Sequence, residues 1–123
     1  MKWGAEYLVA AKAVNAAWDK FGKQTASKLW LSATRTQINA DLQAYDTALS
    51  TFAAAVLKIP ATGQTRLDIV TLAKSCDGEA SFLDGAIQQN SVTTNAWWAH
   101  FYSLDDAGDT DSQIVRTDLG LPA

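Results

Sequence analysis

Large apolar side chains recur along this chain at steps of three and four residues, the repeat of a helix that hides one face. Trp3, Tyr7, Ala11, Val14, Trp18 and Phe21 form the first stripe and predict a helix over residues 3–21, with Gly22 as its stop. The second stripe is the most regular: Ile38, Leu42, Tyr45, Leu49, Phe52, Val56 and Ile59 alternate steps of 4 and 3 throughout. Thr34 and Gln37 suit a capping box at its start, and Pro60 and Gly63 end it. A third stripe, Ile69, Ala73, Cys76, Ala80, Leu83 and Ile87, predicts a helix over residues 65–90.

Gly78 and Gly85 sit inside that third helix, each at a cost of about 1 kcal/mol relative to alanine. With Thr71, Ser75 and Ser81 they form a smooth strip. It reads first as a close contact with another helix of the same chain, and second as a contact between copies. Residues 23–33 are less regular. Leu29, Trp30 and Leu31 are consecutive, and neighbouring helical positions point about 100° apart, so the three cannot all face inward.

After the third helix the apolar signal is short. Residues 96–104 predict a brief aromatic helix, 105–109 a loop, and 111–116 a final turn capped by Thr110 with Gln113. The expected fold is therefore all-α: an antiparallel up-down bundle of three long helices, a shorter aromatic fourth helix and a short C-terminal turn. Residues 1–123 read as one domain of the usual size.

Composition narrows the function more than the fold. Hydrophobic residues make up 48% and charged residues 19%, a globular balance, and no apolar run approaches the roughly 18 residues of a spanning helix. Lys2 followed by Leu8, Val9 and Ala10 imitates a signal peptide, but Glu6 and Lys12 interrupt the run and its spacing is helical. No signal peptide is assigned, and a cytoplasmic location or an intracellularly assembled particle is expected. A net charge of −3 disfavours nucleic acid and anionic membranes as partners. Charge is also uneven: residues 1–75 hold nine Lys/Arg against five Asp/Glu, and residues 76–123 hold one against eight. An antiparallel fold blunts that asymmetry by bringing the halves together.

Candidate chemistry is sparse. Cys76 and His100 are the only residues of their kinds, which leaves no disulfide or two-histidine metal site within the chain. Cys76 lies on a core stripe, where thiols are inert. Asp41, Asp46, Asp68, Glu79 and Asp84 suggest bundle carboxylates, yet a di-iron site needs several Glu and ExxH pairs, and this chain has two Glu. In the acidic stretch Asp105, Asp109 and Asp111 are the candidates for a divalent cation, but the spacing misses an EF-hand, and caps and turns explain the same residues. No metal or cofactor is assigned, and the chain reads as non-enzymatic.

The aromatic segment is the most informative feature. Trp97, Phe101 and Leu104 form one helical stripe and Trp98 and Tyr102 another; either a wide buried face topped by Leu29, Trp30 and Leu31 absorbs both, or one stripe is left for a partner or a ligand. Trp97, Trp98, Phe101 and Tyr102, joined by Trp30, Leu31 and Trp3, are therefore the candidate contact residues. The leading expectation is a self-associating structural or interaction protein, its partner itself or another protein subunit, in an assembly such as a phage or virus particle. The alternative is a bundle that binds a small apolar ligand on Trp97, Trp98, Phe101 and Tyr45.

Overall fold

The computed structural model describes residues 3–26, 35–89 and 95–122. Among them are four helices and no strand: α1 (Gly4–Ala26), α2 (Arg35–Leu57), α3 (Gly63–Gln89) and α4 (Asn95–Asp118). Trp30, Leu31 and Thr34, with the contact and capping roles expected of them, lie outside the described residues.

Ring contacts fix the direction of each helix. Tyr7 meets Phe52 at 5.8 Å and Phe21 meets Tyr45 at 5.3 Å, so α1 and α2 are antiparallel. Phe82 stacks on Trp97 at 5.2 Å, and Ser75 hydrogen-bonds Asp111, so α3 and α4 are antiparallel too. The ring closes where Phe21 approaches Trp98 and the Tyr7 hydroxyl pairs with Ser112. The result is an up-down-up-down four-helix bundle around one apolar cluster.

The three long stripes pack as their spacing requires. Leu42, Tyr45, Leu49, Phe52, Val56 and Ile59 of the second stripe are all buried, as are Ile69, Ala73, Cys76, Ala80 and Leu83 of the third. Gly22 does not stop α1, which continues to Ala26. A stop of that type needs the left-handed region, and among the glycines only Gly63 and Gly120 occupy it. Gly120 is such a stop. Leu121 N–H donates to the Arg116 carbonyl and Gly120 N–H to the Thr117 carbonyl, which closes the end of α4.

The largest departure from expectation is α4. In place of a short helix, a loop and a turn, one helix of 24 residues runs from Asn95 to Asp118. Its inward positions are Trp97, Phe101, Asp105, Gly108, Ser112, Val115 and Leu119, in steps of 4, 4, 3, 4, 3 and 4. The helical repeat is unbroken, but three consecutive inward slots hold polar or small residues. Thr110 donates to the carbonyl of Asp106, four residues back, so it is a mid-helix residue and not a cap.

The glycine strip of α3 also departs from its first reading. A side-chain carbon built on Gly78 or Gly85 meets nothing within 4 Å, so neither glycine admits a neighbouring helix of this chain.

Candidate functional site

Each of the last three helices carries an acid on an inward stripe. Asp46 lies between Leu42 and Leu49, Glu79 between Cys76 and Leu83, and Asp105 between Phe101 and Gly108. All three side chains are buried. Buried carboxyls are rare unless paired, because ionisation in a medium of low polarity is costly.

Glu79 and Asp105 meet at mid-bundle beside a cavity of about 110 Å³. Tyr7, Ala11, Val14, Asn15 and Trp18 of α1 form one wall, and Tyr45, Leu49 and Phe52 of α2 a second. Leu72, Cys76 and Glu79 of α3 form the third, and Asp105, Gly108, Asp109, Ser112 and Arg116 of α4 the last. The space exists because Gly108 and Ser112 occupy slots where a bundle normally inserts large apolar side chains. Asn15 and Asp109 are exposed, which puts the mouth on the seam between α1 and α4.

Polar contacts organise the wall. The Tyr45 hydroxyl donates to Asp105 Oδ1 at 3.1 Å, and Glu79 hydrogen-bonds Asp105. Glu79 itself is 3% exposed, and its Oε2 is fully enclosed. At the outer end the Tyr7 hydroxyl and Ser112 Oγ lie 2.7 Å apart, and the Arg116 guanidinium sits 5.9 Å from the Tyr7 ring centre.

Burial dominates the electrostatics. It pushes the Glu79 carboxyl up to about 9, reinforced by the negative charges of Asp105 and Asp109. Asp105 is also raised by burial, but hydrogen bonds from Glu79 and Tyr45 oppose that rise. Their mutual hydrogen bond raises Glu79 and lowers Asp105, so within the pair Glu79 is the donor. Burial, with Glu79 and Asp105 nearby, raises Tyr45 far above its usual range. Burial and Glu79 likewise push the Cys76 thiol up to about 12, so it is no nucleophile at neutral pH.

Two further acid pairs lie off the cavity. Asp46, raised to about 7 by burial and by its hydrogen bond with Asp84, links α2 to α3. Asp118 is raised mainly by its hydrogen bond to Asp68, which is correspondingly lowered.

The expected site residues are distributed differently. Trp97 and Phe101 are core residues, their rings stacked 5.4 Å apart, so they have little surface to offer a partner. Trp98 is half-buried and edge-on to Trp97 at 4.9 Å, and Trp3 is also half-buried against the core. Tyr102 is half exposed, at 50%. Of the expected ligand-stacking set, only Tyr45 lines the cavity.

The cation candidates separate as well. Carboxylate oxygens of Asp105, Asp106 and Asp109 lie within 4.8 Å of one another, whereas Asp111 accepts a short hydrogen bond from Ser75 at 2.5 Å. His100 packs on Phe82 at 4.5 Å and does not line the cavity. Comparison with protein-family models, curated proteins and solved structures finds no match to this chain.

Sequence reasoning missed the role of Glu79 because a lone acid on a helix ordinarily faces water. The signal was present: Leu72, Cys76, Glu79, Leu83 and Ala86 step by 4, 3, 4 and 3, a second apolar stripe with an acid in its middle.

Proposed function

We propose that this chain is a non-enzymatic binding protein that takes a small ligand into the cavity at mid-bundle. The observation that carries this reading is the cavity itself, about 110 Å³ at mid-bundle, walled by the carboxyl-bearing Glu79, Asp105 and Asp109 where a bundle ordinarily packs apolar side chains. Burying carboxyls is costly, and apolar residues in their places would remove that cost. A ligand that enters between α1 and α4 offsets it.

Water is the rival occupant, because a polar space of this size admits more than one molecule. The two are separated by screening charged and neutral compounds of about four or five heavy atoms, a size set by comparison with cavities that admit benzene. Calorimetry and the emission of Trp18, which lines the cavity, provide the readout. Binding to the parent that is abolished by Ala11→Leu or Ser112→Leu, each of which fills the cavity, supports the reading. A screen without a binder, or binding that both filled variants retain, overturns it.

A second reading, self-association as the subunit of an assembly, is favoured by a different surface. On the outer side of α3 and α4, a shallow groove is lined by Thr71, Lys74, Gly78, Leu104 and Ala107. Leu67 is 61% exposed and Ile114 45% exposed. With Trp97 and Phe101 consumed by the core, this groove takes over as the proposed contact between copies. Sedimentation at tens of micromolar tests it: association in the parent that Leu67→Glu and Ile114→Glu abolish supports the reading, and a monomeric parent removes it.

A further inference from the structure

We propose that the ligand of the mid-bundle cavity is a primary alkylammonium ion, its nitrogen held by Glu79 and Asp105 and its chain lying along the apolar wall. This rests on the reading of the cavity as a ligand site and adds the chemical class. The acids decide the sign of the ligand. Glu79, Asp105 and Asp109 all line the cavity, so an anion meets three carboxyls. Arg116, the one basic residue on the wall, lies over the Tyr7 ring.

The remaining wall decides between kinds of cation. A hard divalent ion wants six to eight oxygen ligands. Asp106, the third member of the acidic trio, is exposed and does not line the cavity, and Asp105 Oδ1 already accepts from Tyr45. The rest of the wall includes Trp18, Phe52, Leu49 and Leu72, side chains suited to hydrocarbon. A neutral apolar ligand fits that wall but offers nothing to the acids Glu79, Asp105 and Asp109. An ammonium group brings N–H donors to these acids, and its charge is opposite in sign to theirs.

Size and access agree with this choice. A cavity of about 150 Å³ accommodates benzene, so 110 Å³ admits a chain of about four carbons with its nitrogen. The mouth lies on the α1–α4 seam, where the backbones approach less closely than in the other three neighbouring pairs.

Binding moves a proton. The Glu79 proton leaves to solvent as the ammonium takes its place, and the carboxylate so formed pairs with the cation. The groups facing Glu79 are Tyr45 on α2, Cys76 on α3, and Asp105 and Asp109 on α4, with Tyr7 and Arg116 further along the wall. Tyr45 and Cys76 keep their own protons at neutral pH, so Glu79 and Asp105 account for the linkage.

The test is calorimetric titration of the intact chain with n-butylammonium chloride, with n-butanol as the neutral isostere and calcium chloride as the hard cation. The expected results are butylammonium bound at least about tenfold more tightly than butanol, and a loss of about tenfold or more in Glu79→Gln. Asp105→Asn is the second variant. An enthalpy that varies with the ionisation heat of the buffer, and tighter binding at about pH 8.5 than at about pH 7, reports the released proton. Butanol binding as tightly as butylammonium, affinity unchanged in both variants, or calcium displacing the amine overturns the assignment of class but leaves the cavity as a ligand site. No binding by any of the three, together with a screen without binders, overturns both.

Discussion

The two ends of the α4 inward stripe use the same helical slots in opposite ways. Toward its start, Trp97 and Phe101 interlock with Trp18, Phe21, Tyr45 and Phe82, and ring centres fall between 5.2 and 6.4 Å apart. In the next three slots the same stripe presents Asp105, Gly108 and Ser112, and the packing opens into a cavity beside a buried acid pair. Tyr45 joins the regions: its ring belongs to the aromatic layer and its hydroxyl donates to Asp105. One region stabilises the bundle, and the other gives up stability by burying acids beside unfilled space.

The largest effect should come from the aromatic layer. Phe101→Ala removes a fully buried ring and is expected to cost about 3–5 kcal/mol in chemical denaturation, against about half that or less for half-buried Trp98→Ala. Equal losses would mean that the layer is not the anchor its burial implies.

Next is the pH response of the acidic middle. A carboxyl whose pKa is raised on folding favours the fold fully below its unfolded value, near 4.5 for Glu79 and 3.8 for Asp46. That contribution declines as pH rises and is gone above the folded values, about 9 for Glu79 and about 7 for Asp46. Melting temperature should therefore fall between about pH 5 and pH 9, by roughly 5–10 °C. Glu79→Gln should flatten the curve and raise the melting temperature at about pH 8 more than at about pH 5. A flat profile in the parent would show that the acids are solvated.

Glycine substitutions give a smaller, opposite comparison. A side-chain carbon at Gly108 meets only Glu79 Oε1, at 3.9 Å, and one at Gly78 meets nothing. Gly108→Ala and Gly78→Ala should each stabilise by about 1 kcal/mol, measured by denaturant titration. Gly78→Ala should in addition weaken any association through the outer groove. Smallest of all, Cys76 should react slowly with thiol reagents near neutral pH, and at the rate set by opening of the bundle rather than by its own ionisation. Rapid labelling would mean that the cavity wall is open.

How much was legible varies along the chain. The second stripe, Leu42 to Ile59, could be read straight off its steps because every slot holds a large apolar residue. The third helix was equally plain, except that Glu79 on its neighbouring stripe looked like solvent-facing charge. In α4, Asp105, Gly108 and Ser112 imitate a loop by composition, and the helix through them was missed for that reason. At Trp97 and Trp98 the spacing allowed both a wide buried face and a surplus left for a partner, and could not choose between them. Trp18, Phe21 and Phe82 from two other helices converge there and enclose most of that surplus.

The steps of three and four along the chain determined by themselves that it folds into amphipathic rods, and short connections then oppose those rods. Spacing states which residues share a face, because helix geometry is local. It does not state which face is covered when that face carries acids and glycine, since coverage depends on what neighbouring helices bring. Only the packed bundle decided that Glu79 and Asp105 meet away from water, and that their hydrogen bond and the unfilled volume lie in the same place.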